Sequence, residues 1–203
     1  KNKKKKIEVF TGPTLANLVR QREITNVNTN TGAILTVKTK LNSNEYAQTD
    51  MTYDVYGNLK TIAYPQTSFG QMTYNYTYDT TLNKYLIEVK DAFGYKSSST
   101  YDYNFDVVLN TTDRANNEMF YKYDTIGRLT KIIAPKENTN NSDDYTISFQ
   151  YMPTYSQAQV NGYGSFVTQN NFIPFAVTKH YDTQHPTAPI ETINFIDGLG
   201  KNI

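Results

Sequence analysis

Residues 121–135 read YKYDTIGRLTKIIAP, and residues 52–65 read TYDVYGNLKTIAYP. Both run Tyr-Asp, two free positions, Gly, a polar residue and Leu, then a β-favouring stretch that ends in Pro. In Asp124-Thr125-Ile126-Gly127 the aspartate stands where its carboxylate accepts backbone N–H bonds two residues on. The glycine stands where positive φ is needed. The stretch therefore predicts a type I turn with a glycine bulge, closing a hairpin in which Tyr123 faces Leu129 and Asp124 lies beside Arg128. Tyr53 and Leu59 pair in the same way. An aromatic-aliphatic pair of this kind adds about 0.2–1 kcal/mol per hairpin, whereas an exposed Asp124–Arg128 pair is worth little by itself. Simple alternation places Tyr121, Tyr123, Leu129 and Ile133 on one face and Lys122 and Thr130 on the other, with Phe120 and Ile132 on the nominally polar side.

The phrase belongs to a period. Asp91, Asp102, Asp113 and Asp124 follow one another at intervals of 11 residues, which is one strand of about six or seven residues plus a turn of about four. The Tyr-Asp pairs Tyr53-Asp54, Tyr78-Asp79, Tyr101-Asp102 and Tyr123-Asp124 recur at 25, 23 and 22 residues, one hairpin apart. Asp54-Val55-Tyr56-Gly57, Asp91-Ala92-Phe93-Gly94 and Asp197-Gly198-Leu199-Gly200 share the Asp-x-x-Gly frame. Asp113-Arg114-Ala115-Asn116 replaces Gly with Asn, the next residue to tolerate a left-handed conformation.

Composition agrees with an all-β chain. Of 203 residues, 38% are apolar, 18 are Tyr and 10 are Phe, with no Trp and no Cys, and the net charge is +1. Thr and Asn make up about a quarter of the chain, and Leu, Ile, Val and Phe about 22%, barely above the level at which a packed core becomes doubtful. A broad, thin sheet follows. The balanced charge gives no electrostatic case for nucleic acid, and the Lys3–Lys6 run reads as a solvated tail. No stretch approaches 18 consecutive apolar residues, nothing reads as a signal peptide, and without cysteine there is no disulfide or thiolate chemistry. The whole of 1–203 reads as one repetitive β region. Residues 7–49 are three leading strands, 50–135 the hairpin repeats, and 136–203 longer, less regular strands with an insertion, ending in the Asp197–Gly200 turn.

The repeats resemble the RHS/YD-repeat family, whose signature is Tyr-Asp-x-x-Gly-Arg-Leu. YDTIGRL at 123–129 matches every signature position, YDVYGNL at 53–59 has Asn58 in place of Arg, and DAFGYK at 91–96 is a weaker copy. The pair Tyr101-Asp102 is followed by Phe105 where Gly is expected. The segment HYDTQHPTAPIETINFIDGLGKNI, 180–203, is similar to a segment of large RHS proteins, including the B-type shell subunits of insecticidal toxin complexes, with Lys201 where that family has Arg. The resemblance implies consecutive antiparallel hairpins in one continuous curved sheet, part of a spiralling shell that encloses or presents a polymorphic, toxic C-terminal cargo. It also implies a secreted or cell-surface location. The partners it implies are the rest of the same polypeptide, its cargo and a secretion or injection apparatus.

Catalytic readings find little support. Acid-base chemistry needs two groups converging on one substrate, whereas repetition puts each aspartate at its own turn. His180 and His185 flank Asp182, but positions five apart on a strand face opposite ways and no third ligand is evident. Asp143 and Asp144 lack the spacing of a calcium loop. No cofactor motif is present, and the chain reads as non-enzymatic. Tyr74, Tyr76 and Tyr78 alternate on one face, leaving open either cross-strand stacking or, with the abundant Asn and Thr, a glycan-facing surface for carbohydrate binding or cell adhesion.

Overall fold

The aspartate turns punctuate a run of short strands, and each strand pairs with the one before it. The structure, a computed structural model, describes residues 5–11, 17–42, 44–166 and 172–195. Among the described residues fourteen strands form one antiparallel sheet whose hydrogen-bonded order is the sequence order. This is the all-β hairpin architecture that the repeats predict. The chain divides into two compact units, Lys1–Ser99 and Thr100–Ile203.

The first unit carries β1 (Lys6–Thr11), β2 (Asn17–Val27), β3 (Ile34–Lys40), β4 (Tyr46–Tyr53), β5 (Leu59–Thr67), β6 (Gly70–Tyr78), β7 (Leu86–Asp91) and the start of β8 (Lys96–Asp102). Register fixes the faces. Met51 pairs with Ile62 and Ile62 with Tyr74, while Tyr76 pairs with Val89, so these side chains share one face. The opposite face is polar: Thr52 and Thr61 share a hydroxyl hydrogen bond of 2.6 Å, and Thr36 donates to the Asp50 carboxylate at 2.8 Å. Among the described residues of this unit Tyr85 is the one buried apolar side chain. A single layer covers neither of its faces, so cross-strand pairing, not a core, holds it together.

The second unit continues with β9 (Val107–Thr112), β10 (Glu118–Tyr123), β11 (Leu129–Ile133), β12 (Ile147–Met152), β13 (Phe175–His180) and β14 (Ile190–Phe195). Tyr123 faces Leu129, as expected, but the register then slips: Lys122 pairs with Lys131, Tyr121 with Ile132 and Phe120 with Ile133. The extra residue of the bulge, Thr130, inverts the alternation beyond it. Ile132, not Ile133, therefore shares the face of Tyr121 and Tyr123, and Ile133 joins Phe120, Lys122 and Lys131 on the other.

Beyond residue 136 the strands are not longer; β12, β13 and β14 have six residues each. The extra length lies in the connections, one of which holds a short helix, α1 (Tyr155–Val160), absent from the sequence-based expectation. Thr154 caps it by accepting Gln157 N–H at 3.2 Å. The insertion packs Ala158 and Tyr163 against Met152, Phe175 and Val177, all buried, with Phe172, Ile193 and Phe195 around them. The Phe175 and Phe195 rings lie 5.3 Å apart. At its margin Lys179 pairs with Glu191 at 2.9 Å, and Tyr163 Oη donates to Glu191 at 3.0 Å. The Lys179 bond, with help from Tyr163, holds the Glu191 carboxyl below its usual range against the opposing effect of burial. This is the core of the second unit.

Candidate functional site

The candidate site is the repeated turn, and its geometry recurs almost atom for atom. At Asp54, Asp91, Asp113 and Asp124 the carbonyl accepts the N–H three residues on, from Gly57, Gly94, Asn116 and Gly127, at 3.0–3.2 Å. In each case the aspartate N–H donates to the carbonyl four residues on, at 2.9–3.0 Å. The left-handed residue is Gly57 (φ 90°), Gly94 (φ 87°), Asn116 (φ 62°) or Gly127 (φ 82°). One carboxylate oxygen accepts the N–H groups of residues i+2 and i+4: Tyr56 and Asn58, Phe93 and Tyr95, Ala115 and Asn117, Ile126 and Arg128.

The second carboxylate oxygen explains the variable signature position. Arg128 Nε donates to Asp124 Oδ2 at 2.7 Å, Asn58 Nδ2 to Asp54 Oδ2 at 3.0 Å, and Asn117 Nδ2 to Asp113 Oδ2 at 2.9 Å. Asn58 is thus not a loss of the motif but a shorter donor doing the same work. Two of them also reach outward: Asn58 donates to the Asn83 carbonyl at 2.7 Å, and the Arg128 guanidinium lies 4.4 Å from the Tyr151 ring centroid. Burial raises the Asp54 and Asp124 carboxyl pKa values, but hydrogen bonds from Asn58 and Arg128 and from the turn N–H groups outweigh it and hold both below the usual range. Arg128→Asn is expected to keep the turn and cost about 0.5–1 kcal/mol, the worth of an exposed cation–π contact. Urea unfolding measures this, and Arg128→Leu, which removes both contacts, should cost more.

Two of the motif tyrosines bind backbone. Tyr53 Oη donates to the Ile34 carbonyl at 3.0 Å and Tyr123 Oη to the Val108 carbonyl at 2.8 Å, each reaching the preceding strand. Tyr151 does the same to the Leu129 carbonyl at 2.9 Å.

One member of the predicted set behaves differently. Asp102 Oδ1 accepts the Asn104 N–H at 2.8 Å, but the left-handed residue of its turn is Asp106 (φ 58°), one position later than the frame requires. Phe105 is therefore free of the conformation that excludes it, and its ring lies against Gly127, where a Cβ would fall 2.6 Å from Phe105 Cδ1. Gly57 has open space at the same point. Gly57→Ala is expected to cost about 1 kcal/mol of backbone strain and Gly127→Ala about 2–3, since Phe105 must also swing away. Thermal melts of the two variants compare them, and equal losses would contradict the Phe105 contact. Asp197 and Gly200 lie outside the described residues.

The turn at Asp79 shows a site that the Asp-x-x-Gly frame does not reveal. The residue is 3% exposed, and its carboxylate accepts five backbone N–H groups: Thr81, Leu82 and Asn83 on Oδ2 at 3.0, 2.6 and 3.2 Å, and Lys84 and Tyr85 on Oδ1 at 2.9 and 2.8 Å. Burial alone would raise its pKa, yet these donors lower it to about 2. The Tyr78-Asp79 pair is the one local signal for it.

Tyr74, Tyr76 and Tyr78 are half-buried, and Tyr74 meets Tyr64 edge-on with centroids 6.1 Å apart. His185 Nδ1 lies 2.8 Å from Asp182 Oδ2 within one turn. Among the described residues no three His, Asp or Glu side chains converge as a metal site would require, and no helix is long and apolar enough to cross a membrane.

No protein-family model and no curated protein matches the chain. Among solved structures, a crystal structure of TcdB2-TccC3 without its hypervariable C-terminal region aligns with 92% of this chain at a TM-score of 0.61 and 13% identity. The fold is similar to that of TcdB2-TccC3. The likeness is one of fold, and this chain spans 14% of the TcdB2-TccC3 chain it matches. A second TcdB2-TccC3 crystal structure aligns with 98% of the chain at a TM-score of 0.33 and 12% identity, too low to add to the comparison; the match spans 13% of that chain.

Proposed function

We propose that this chain is a non-catalytic wall segment of an RHS-type shell, secreted or displayed at a cell surface, which encloses or presents a C-terminal cargo. The observation that carries the reading is the strand order: every strand pairs with its predecessor, and one closed turn is stamped repeatedly along the run. An extended repetitive sheet exposes edges that invite aggregation unless further repeats cover them, which a winding wall does. The repeat carboxylates Asp54, Asp91, Asp113 and Asp124 are each committed to their own turn, which argues against acid-base work by the repeat. The fold shared with TcdB2-TccC3 supports the same reading, and the partners it entails are the remainder of the polypeptide, its cargo and a delivery apparatus.

Limited proteolysis of the longer polypeptide tests enclosure. Its C-terminal segment should resist cleavage until denaturant opens the wall; cleavage at the rate of the isolated segment would contradict the proposal. On this reading the tyrosine face serves cross-strand packing, as the Tyr64–Tyr74 contact suggests. A glycan array with Tyr76→Ala as control checks it, and saturable binding lost on substitution would establish the adhesive alternative.

A further inference from the structure

The connection between β11 and β12, residues 134–146, breaks the rhythm of tight turns. Connections of this length with no strand of their own are usually either functional or disordered. This one is held in place by its own side chains. The Asp144 carboxylate accepts Thr139 N–H at 2.6 Å, Thr139 Oγ1–H at 2.9 Å and Asn141 N–H at 3.0 Å, while Glu137 and Asn138 N–H both donate to the Ala134 carbonyl at 3.1 Å. Lys131 Nζ ties the loop to the sheet by donating to the Ser142 carbonyl at 2.7 Å.

Between the loop and the sheet lies a half-open cleft of about 530 Å³. The bulge at Thr130 decides its floor, because it brings Phe120, Lys122 and Lys131 to one face. Asn138, Asn140 and Ser142 contribute to the loop wall. No carboxylate is among the lining residues. Lys131 shares its charge with Asp144, whose carboxyl it helps to hold low. Lys122 forms no ion pair among the described residues.

This combination has a definite chemistry. An aromatic ring offers a surface to the C–H face of a pyranose, amides and hydroxyls match its ring hydroxyls, and an unpaired ammonium favours a carboxylate on the same sugar. We propose that the cleft binds an acidic saccharide, with Lys122 meeting the carboxylate and Phe120 the ring. The preorganised loop lowers the ordering cost of binding. The site is separate from the tyrosine face and does not depend on the shell reading.

Titration of the ¹⁵N-labelled 203-residue chain with 3′-sialyllactose, with a glucuronic-acid disaccharide and with neutral lactose tests it. At least one acidic saccharide should saturate with a Kd on the order of 1 mM, weaken as salt is raised, and bind about tenfold more tightly than lactose. Lys122→Ala should weaken it at least about fivefold with an unchanged melt, since Lys122 is exposed. The proposal fails if neither acidic saccharide saturates below about 20 mM, if lactose binds equally well, or if Lys122→Ala binds like the parent.

Discussion

Met152→Ala is expected to destabilise the second unit by about 2–5 kcal/mol. Met152 is 1% exposed and lies in the layer formed by Ala158, Phe175 and Val177, which are themselves 0%, 5% and 0% exposed. This is where the chain departs from a single layer: α1 and Tyr163 cover one face of β12–β14, so truncation leaves a cavity with no solvent to fill it. Urea unfolding followed in the transition of Thr100–Ile203 reads the loss, with an unchanged slope marking a change in stability alone. Val55→Ala is the control, because Val55 is 93% exposed at a turn tip and its truncation should move stability by less than about 0.5 kcal/mol. A loss below about 1 kcal/mol for Met152→Ala would mean that the insertion is not packed on the sheet.

Asp79→Ala is expected to lower the melting temperature of the first unit by roughly 5 °C or more. The substitution strands five N–H groups that converge on one buried carboxylate, in a unit with no core to compensate. Asp79→Asn, which keeps one acceptor oxygen, should fall between the two. The same carboxylate predicts acid lability. Its folded pKa, about 2, lies below the ordinary aspartate value of 3.8, so the folded state binds its proton less readily than the unfolded chain. Its contribution is complete above pH 4 and is lost as the pH falls towards 2. In Asp79→Ala that part of the acid transition should disappear, which circular dichroism against pH measures; an unaltered acid limb would contradict the assignment.

How much of this was legible in the sequence depends on whether the signal is local. Asp54, Asp91, Asp113 and Asp124 announce their turns because carboxylate, donor and left-handed residue lie within five positions. Asp79 closes a longer loop with Asn83 (φ 54°) in place of Gly, so the four-residue frame passes over it. Asn58 looked like a departure from the signature until its amide was seen on the Asp54 carboxylate. The face of Ile133 was misjudged because strict alternation contains no term for the extra residue at Thr130. The helix was missed because six residues are too few for an amphipathic period, although Thr154 and Gln157 carry the spacing of a capping box. Partners such as Tyr151 over Arg128 and Phe105 on Gly127 come from neighbouring hairpins, and no local pattern marks them. The acidic-saccharide cleft belongs to the same class, since it needs the bulge, the loop and the strand register together.

The tyrosine content also acquires a physical reason. A thin sheet with few aliphatic residues needs side chains that pack broadly and still satisfy backbone. Tyr53, Tyr123 and Tyr151 do both, each ending on a carbonyl of the preceding strand.

Cryo-electron microscopy of the longer polypeptide that the proposed function requires tests the central claim most directly. The account predicts a closed, hollow β-shell in which these strands lie in the wall, paired in sequence order and continuous with further hairpins at β1 and β14. A segment standing outside any enclosure, with the edges of β1 and β14 left unpaired, would contradict it.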